Sequence, residues 1–232
     1  MFSGYKPLKI SMFFCRFALD EFNTRKTMEL KKAIESRTSI RQYTTDAVSM
    51  DDIKEMIRLA SLAPSVNNYQ PWQFIAITNK DLMTRMANAI RERISALPNN
   101  ESKYASNVKK QVEFFATFFE SAPALVALCM SDYETVLEKG VDLTHEEINN
   151  LRNSPDLQSA GACIQNLLLA AVDMGYGACW MSAPMVAEKE LEEMLQVKPP
   201  FRLISFVAMG KPAKELSPRD KKPIDEMLRV IE

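Results

Sequence analysis

Glycine is scarce in this chain, and its scarcity limits how the chain can fold around a ligand. Only 6 of the 232 residues are glycine, well under half of the roughly 7% of an average protein. Loops that hold phosphates through backbone N–H groups need closely spaced glycines, G-x-x-x-x-G-K-[ST] in P-loops and G-x-G-x-x-G in dinucleotide folds. Neither string occurs, and the nearest, Gly175-Tyr176-Gly177, has Trp180 in place of the third glycine. Side chains must therefore do much of the work if the chain binds a phosphate.

Composition and charge exclude several classes of protein. Apolar residues make up 47% of the chain and charged residues 25%, which is typical of a single globular domain. The 29 basic and 30 acidic residues leave a net charge of −1, so there is no electrostatic reason to expect a nucleic-acid partner. No apolar run approaches the roughly 20 residues that span a bilayer, and we expect no membrane partner.

The rare residue types give no sign of a metal site. A single histidine, His145, lies in a polar run, where we expect a solvated side chain on a loop or helix. The four cysteines form no C-x-x-C pair. Cys129 and Cys179 lie in apolar runs and are expected to be buried. Free thiols without a secretory signal favour a cytoplasmic protein.

The pattern of apolar residues predicts one domain over residues 28–232, in which strands alternate with helices. We expect residues 1–27 to be a poorly ordered N-terminal extension. The fold class is α/β or α+β, with a sheet covered on both sides. The predicted helices run over 29–36, from Ser49 to Pro64, from Asn79 through Ile90, and over 108–119, 155–174 and 187–195. The predicted strands are 72–78, 124–130, 178–181 and 203–209.

Three segments carry candidate binding residues. The first, 36–43 (S-R-T-S-I-R-Q-Y), sets Arg37 and Arg41 around hydroxyl groups; guanidinium and hydroxyl donors suit a phosphate. It also fits a helix C-terminus whose basic residues face the helix dipole. The second, 63–72 (A-P-S-V-N-N-Y-Q-P-W), is a polar loop stiffened by two prolines. Its carboxamides suit the edge of a heteroaromatic ring, although asparagine and proline also favour ordinary turns.

The third segment is a basic cluster, 217–223 (S-P-R-D-K-K-P). Such a cluster near a terminus is usually a solvated tail. It gains a function only if it converges with Arg37 and Arg41.

Taken together and in this order, the segments resemble the nitroreductase family of FMN-dependent oxidoreductases. The resemblance covers residues 28–232 and also includes G-A-C-I-Q-N-L-L-L-A-A, G-Y-G-A-C-W-M-S and V-A-M-G-K-P. It implies an α+β fold with a mixed central sheet flanked by helices, in an interlocked homodimer. It further implies ping-pong transfer of hydride from NADH or NADPH, through FMN, to a small-molecule electron acceptor such as a nitroaromatic, a quinone or an activated alkene.

The same resemblance implies the cofactor-binding residues. Arg37 would face the phosphate, Arg41 the ribityl chain or pyrimidine edge, and Arg219 and Lys221 the phosphate again. The second segment would come from the other protomer, and the end of the strand at Trp180 would lie beside the ring. The full set is Arg37, Thr38, Ser39, Arg41, Pro64, Ser65, Val66, Asn68, Gln70, Trp180, Met181, Ser182, Arg219 and Lys221. No catalytic side chain is expected, because the flavin carries the chemistry.

Residues 114–119 (F-F-A-T-F-F) depart from the family pattern, which often has a polar flavin contact there. The phenylalanines either pack in the core or line a substrate channel, and the departure leaves the acceptor open. Within the family, an enone reductase or a reductive dehalogenase is the alternative. Outside it, the alternatives are a non-catalytic flavin-binding protein on the same fold and a scaffold whose basic segments never meet.

Overall fold

The computed structural model describes residues 28–98, 102–133 and 136–232. The extension predicted for residues 1–27 lies outside the described residues. The helices are α1 Leu30–Ser36, α2 Met50–Ala60, α3 Lys80–Ala96, α4 Lys103–Thr117, α5 His145–Leu151, α6 Pro155–Asp173 and α7 Glu188–Leu195. The strands are β1 Trp72–Ile77, β2 Ala124–Ser131, β3 Gly177–Met181 and β4 Phe201–Gly210.

The four strands form one sheet in the order β1-β2-β4-β3. Each neighbouring pair is antiparallel. A parallel bridge also joins Ser39 to Ala178 at the outer side of β3. A register shift between Leu128 and Cys129 interrupts the β2–β4 pairing. The chain thus combines an antiparallel sheet with helices in the expected α+β arrangement.

Both faces of the sheet are covered, and β2 accounts for this directly. Its residues alternate between two cores: Val126 and Leu128 pack with α2 and α6 in the first core, whereas Leu125 and Ala127 pack with α3 and α7 in the second. Seven of the eight β2 positions are buried. A strand buried on both faces is apolar at successive positions, and the prediction from the uninterrupted apolar run is confirmed.

Helix α6 is the long apolar helix that the sequence predicts. Pro155 occupies its first turn, where a missing N–H costs nothing. Gly175 follows its end with φ of 78°, a left-handed conformation that glycine adopts without strain. The helix buries Cys163, Ile164 and Leu167 in the first core, while Leu157 stays exposed.

Helices α4 and α5 and the surroundings of His145 differ from the prediction. Helix α4 begins at Lys103 rather than 108, because the Ser102 side chain accepts a hydrogen bond from Ala105 N and caps the helix. Helix α5 was not predicted, although Thr144 and Glu147 form a capping box at its start. His145 lies in α5 but is not simply solvated: its Nδ1 lies 2.7 Å from Glu138 Oε1.

No helix in the described ranges is both long enough and apolar enough to cross a lipid bilayer.

Candidate functional site

The first candidate segment is fixed against the edge of the sheet. Helix α1 ends at Ser36, and Arg37 is already extended. Ser39 pairs with Ala178 of β3 in a parallel bridge, and Ile40 N donates to Ala178 O at 3.1 Å. Residues 37–41 therefore leave the helix and continue the sheet beyond β3, instead of merely ending a helix with exposed basic residues.

The chain after β4 returns to the same place. Thr44 N donates to Lys211 O at 2.9 Å, and Ala213 N donates to Gln42 O at 3.0 Å. Between them, Tyr43 and Pro212 form an antiparallel bridge. These contacts run the C-terminal segment alongside residues 42–44, so that the third candidate segment lies opposite the first.

The two segments enclose a cavity of about 280 Å³. The residues lining it come from 37–41 and 216–221, and are Arg37, Thr38, Ser39, Arg41, Leu216, Ser217, Arg219 and Lys221. Four of them are cationic and three carry hydroxyl groups. In the described part of the chain, none of the four cations is ion-paired with a carboxylate. The positive charge is therefore available to an anion, and this donor set fits a phosphate.

Arg41 has an unused donor inside the site. Its Nε is buried and has no hydrogen-bond partner among the described residues. Nη1 makes only a long hydrogen bond, 3.5 Å, to Ser39 O. Buried polar groups are nearly always hydrogen-bonded in proteins, so Nε is an exception among the described residues, and the other guanidinium nitrogens of Arg41 are the donors that the first cavity can use.

A second, wider cavity of about 640 Å³ adjoins the first. Its lining residues are Ile34, Arg37, Ser39, Gln165, Leu168, Trp180, Ser182 and Lys221. Arg37, Ser39 and Lys221 line both cavities. The Trp180 side chain, 46% exposed, adds an aromatic wall. The joint space suits an elongated ligand with an anionic end and a larger, flatter end.

Met181 is the predicted site residue whose side chain points elsewhere. It is 3% exposed and packs in the second core. Its neighbours Trp180 and Ser182 line the wider cavity, because successive side chains along a strand face opposite sides. Only the main chain of Met181 is placed to contribute to the site.

The second candidate segment lies apart from the first within one chain. Pro64, Ser65, Val66, Asn68 and Gln70 line neither cavity. Ser65 Oγ accepts a hydrogen bond from Gln70 N at 2.9 Å, and Ser159 Oγ of α6 accepts one from Val66 N at 3.3 Å. Asn68 and Gln70 both have φ of 54°, a sparsely populated conformation for residues other than glycine. The loop is thus held in a specific shape beside α6.

Two of the four phenylalanines of residues 114–119 take the predicted core role, and the other two line neither cavity of the site. Phe118 and Phe119 are buried in the second core. Phe114 and Phe115 are exposed on α4. The Phe115 ring lies next to the first segment, with Arg41 Cζ 5.4 Å from the ring centroid.

Two buried residues beside the site, Tyr43 and Cys179, were not predicted to support it, although the burial of Cys179 was predicted and is confirmed. Tyr43 Oη donates to Ile40 O at 2.6 Å or Ala208 O at 3.1 Å, and burial raises the pKa of this phenol well above its ordinary value. The Cys179 thiol lies behind Ser39 and Arg41; burial raises its pKa, and the Arg41 charge opposes that rise. Tyr43 thus attaches the end of the first segment to β4, and Cys179 of β3 contacts Ser39 and Arg41 in its middle.

The wall residues Gln165 and Leu168 also escaped the sequence reasoning. Their spacing of three on α6 places them on one helix face, which was the available signal. Among the described residues, no cluster of histidine, cysteine, aspartate or glutamate is arranged to hold a metal ion.

The model of the nitroreductase family matches residues 34–211. The chain therefore belongs to the nitroreductase family, as its motifs predict. It is similar to a provisionally named NADH dehydrogenase/NAD(P)H nitroreductase of Archaeoglobus fulgidus, at 25% identity over 81% of this chain and 87% of that protein. It is also similar to an iodotyrosine deiodinase of Nematostella vectensis, at 22% identity over 93% of this chain and 80% of that protein.

Solved structures confirm the fold. A BluB-like flavoprotein from Clostridium difficile superposes with a TM-score of 0.79 at 32% identity, covering 88% of this chain and 100% of its own. A nitroreductase with bound FMN from Desulfitobacterium hafniense superposes with a TM-score of 0.68 at 18% identity, covering 89% and 100%. The α+β fold predicted from the resemblance is confirmed.

Proposed function

We propose that this protein is an FMN-dependent oxidoreductase that takes hydride from NADH or NADPH and passes electrons to an electron-poor small molecule. The observation that carries the proposal is the convergence of Arg37 and Arg219, from opposite ends of the described chain, on one cavity. Such convergence is expected if the basic C-terminal segment belongs to an anion-binding site, and is not expected of a solvated tail. Membership of the nitroreductase family and the likeness to a flavoprotein at 32% identity support the flavin.

The residues present fit FMN in charge and in hydrogen-bond donors. Arg37, Arg219 and Lys221 would hold the phosphate, with the hydroxyl groups of Thr38 and Ser39 as further donors. This arrangement replaces the glycine-rich loop that the chain lacks. The guanidinium of Arg41, which lines the first cavity, would donate to the ribityl chain or pyrimidine edge. Trp180 and Ser182 line the wider cavity, where the ring system would lie.

FMN supplies the hydride chemistry when bound, in a ping-pong sequence in which the oxidised nicotinamide leaves before the acceptor enters. The protein's own side chains bind and orient. A cation at the pyrimidine edge favours a negative charge there, and this is the role we assign to Arg41.

We further propose that the protein acts as a homodimer. Leu30, Leu59, Leu62 and Leu169 line an open cavity of about 340 Å³ between α1, the end of α2 and α6, and Leu62 is 67% exposed. The segment after Pro212 is exposed throughout yet carries the apolar residues Leu216, Ile224, Met227, Leu228, Val230 and Ile231. Apolar surfaces of this kind mark protein–protein contacts. A second copy would cover them and would bring the loop of Pro64, Ser65, Val66, Asn68 and Gln70 to the flavin.

Reductive dehalogenation is the second candidate, and the likeness to an iodotyrosine deiodinase over 93% of this chain favours including it. Enone reduction stays an alternative within the same family. For the compartment we keep the cytoplasm. The free thiols of Cys129, Cys163 and Cys179 fit a reducing environment.

The test begins with the absorption spectrum of the purified protein. We expect a yellow protein that releases FMN on denaturation and bleaches under anaerobic conditions on addition of NADH or NADPH. A panel of nitroaromatic, quinone, enone and halophenol acceptors should then restore the colour at different rates and so rank the candidate reactions. Bound FMN that neither nicotinamide reduces would support the non-catalytic alternative. A colourless protein with no affinity for FMN would refute the proposal.

A further inference from the structure

The environment of Arg41 is unusual because an aromatic ring takes the place of a carboxylate. Among the described residues, no acidic side chain pairs with this guanidinium. Its contacts are the long bond to Ser39 O, the Cys179 thiol and the face of Phe115, 5.4 Å from Arg41 Cζ to the ring centroid. That distance lies within the roughly 6 Å over which a ring attracts a cation.

Packing in the two cores does not hold Phe115 in this place. Its side chain is 40% exposed and belongs to neither core cluster. Its ring also meets Phe114 edge to face, with centroids 5.3 Å apart, and this pair supports the ring from the side. The two rings therefore lie together on the exposed side of α4, and the Phe115 ring lies beside Arg41 of the first segment.

We propose that Phe115 is a positioning residue that holds the Arg41 guanidinium in place for the flavin and thereby helps to set the flavin potential. This inference rests on the proposed function. A flexible arginine spends only part of its time in a useful orientation, and a cation–π contact reduces that freedom without neutralising the charge. A carboxylate in the same place would instead cancel the charge that the site needs.

Replacement of the ring should change the potential in a graded way. Phe115→Leu removes the π face, so the reduced flavin should lose about two- to fivefold in binding relative to the oxidised flavin. That factor corresponds to a potential lower by about 10–20 mV for a two-electron couple. Phe115→Trp keeps an aromatic face, the strongest of the three for this contact, and should preserve the potential. Tyr104→Leu is the matched control, since Tyr104 is a 79% exposed aromatic residue of the same helix and its ring contacts neither Arg41 nor Phe115; this variant should also preserve the potential.

The experiment measures the two-electron potential of each FMN-loaded variant by equilibration with a reference dye, together with the melting temperature of the apoprotein. A double variant separates an action through Arg41 from a direct effect of the ring: in an Arg41→Ala background, Phe115→Leu should produce no further shift. An equal shift in both backgrounds, or an unchanged potential in Phe115→Leu, would overturn the inference and leave the proposed function intact. Failure of the unaltered protein to bind FMN would overturn both. If Phe115→Leu lowers the melting temperature, Phe115→Trp still decides, because a lowered potential there would contradict a positioning role.

Discussion

Ile40 packs directly against the α-carbon of Gly177. A Cβ atom at Gly177 would lie 2.5 Å from Ile40 Cγ1 and 2.7 Å from Ile40 Cβ, closer than side-chain atoms approach in proteins. The contact accompanies the hydrogen bond from Ile40 N to Ala178 O. Because Gly177 has no side chain, the segment that carries Arg37 and Arg41 can pair closely with β3. The cavity depends on that close approach.

Gly177→Ala should therefore damage both stability and cofactor binding. The new methyl group must push Ile40 away from β3, and overpacking of this kind costs about 1–3 kcal/mol. We expect a lower free energy of unfolding in urea and weaker FMN binding by the apoprotein in a fluorescence titration.

Gly140→Ala is the control for this substitution. Among the described residues, a Cβ atom there would meet only Leu137 O, at 3.9 Å, an ordinary contact. This variant should stay within about 0.5 kcal/mol of the parent protein. Wild-type FMN affinity in Gly177→Ala would mean that the close approach is not needed for the site.

Adjacent lysines in the C-terminal segment provide a test of the phosphate site. Lys221 lines both cavities, whereas Lys222 lines neither. Lys221→Ala should raise the Kd for FMN about 10- to 100-fold, the worth of one charge-assisted hydrogen bond, and should hardly alter the Kd for riboflavin, which has no phosphate. Lys222→Ala should change neither constant. Equal losses from both variants would indicate a diffuse electrostatic attraction, which rising salt would abolish.

Arg41→Ala should lower the two-electron potential of bound FMN. The guanidinium stabilises negative charge, and the reduced flavin carries more of it than the oxidised flavin. A charge-assisted hydrogen bond of about 1.5–3 kcal/mol that forms only with the reduced flavin corresponds to about 30–60 mV. A dye-equilibration measurement decides the matter: an unchanged or higher potential in the loaded variant would rule out the role assigned to Arg41.

Local features of the fold could be predicted from the sequence. The caps are examples: the Ser49 side chain accepts from Asp52 N at the start of α2, and the Asn79 side chain accepts from Leu82 N at the start of α3. Each cap depends on a few neighbouring residues. The missed helix α5 had the same kind of signal in Thr144 and Glu147; its polar composition hid it.

The site depends on contacts between residues distant in the chain, and these had no local signal. Spacing alone favoured a helix C-terminus for Arg37 and Arg41, and only the family resemblance placed Arg219 with them. The contact between Ile40 and Gly177 requires the parallel bridge at Ala178, which no periodicity predicts. For the same reason, the sequence could not separate the buried Phe119 from the exposed Phe115.

The proposed dimer predicts a charge-sensitive surface between α2 and α6. Leu62 is 67% exposed and lines the open cavity there. Leu62→Glu places a charge where a second copy would pack, which costs several kcal/mol when the charge stays unpaired. We expect a monomer in sedimentation velocity runs, with FMN lost because the partner's loop is missing. Leu97→Glu, at the end of α3 on the other side of the sheet, should leave the dimer and the flavin in place. A flavin-loaded monomer would contradict the shared site.

Buried thiols should make the protein less stable as the pH rises above about 9. Burial raises the pKa of Cys129 to about 11 and that of Cys163 to about 12, from an ordinary value of 9.0. Between these values the unfolded chain has released thiol protons that the folded protein still binds, so raising the pH favours unfolding. Urea unfolding midpoints at pH 8, 9 and 10, with reductant present, should fall progressively, and Cys163→Ala should show a shallower fall whatever its stability at pH 8.

In the folded protein at pH 8, a thiolate-selective reagent should modify Cys129 and Cys163 far more slowly than in urea, as peptide mapping would measure. Rapid modification of either residue without unfolding would show that these thiols are accessible and that the pH dependence has another cause.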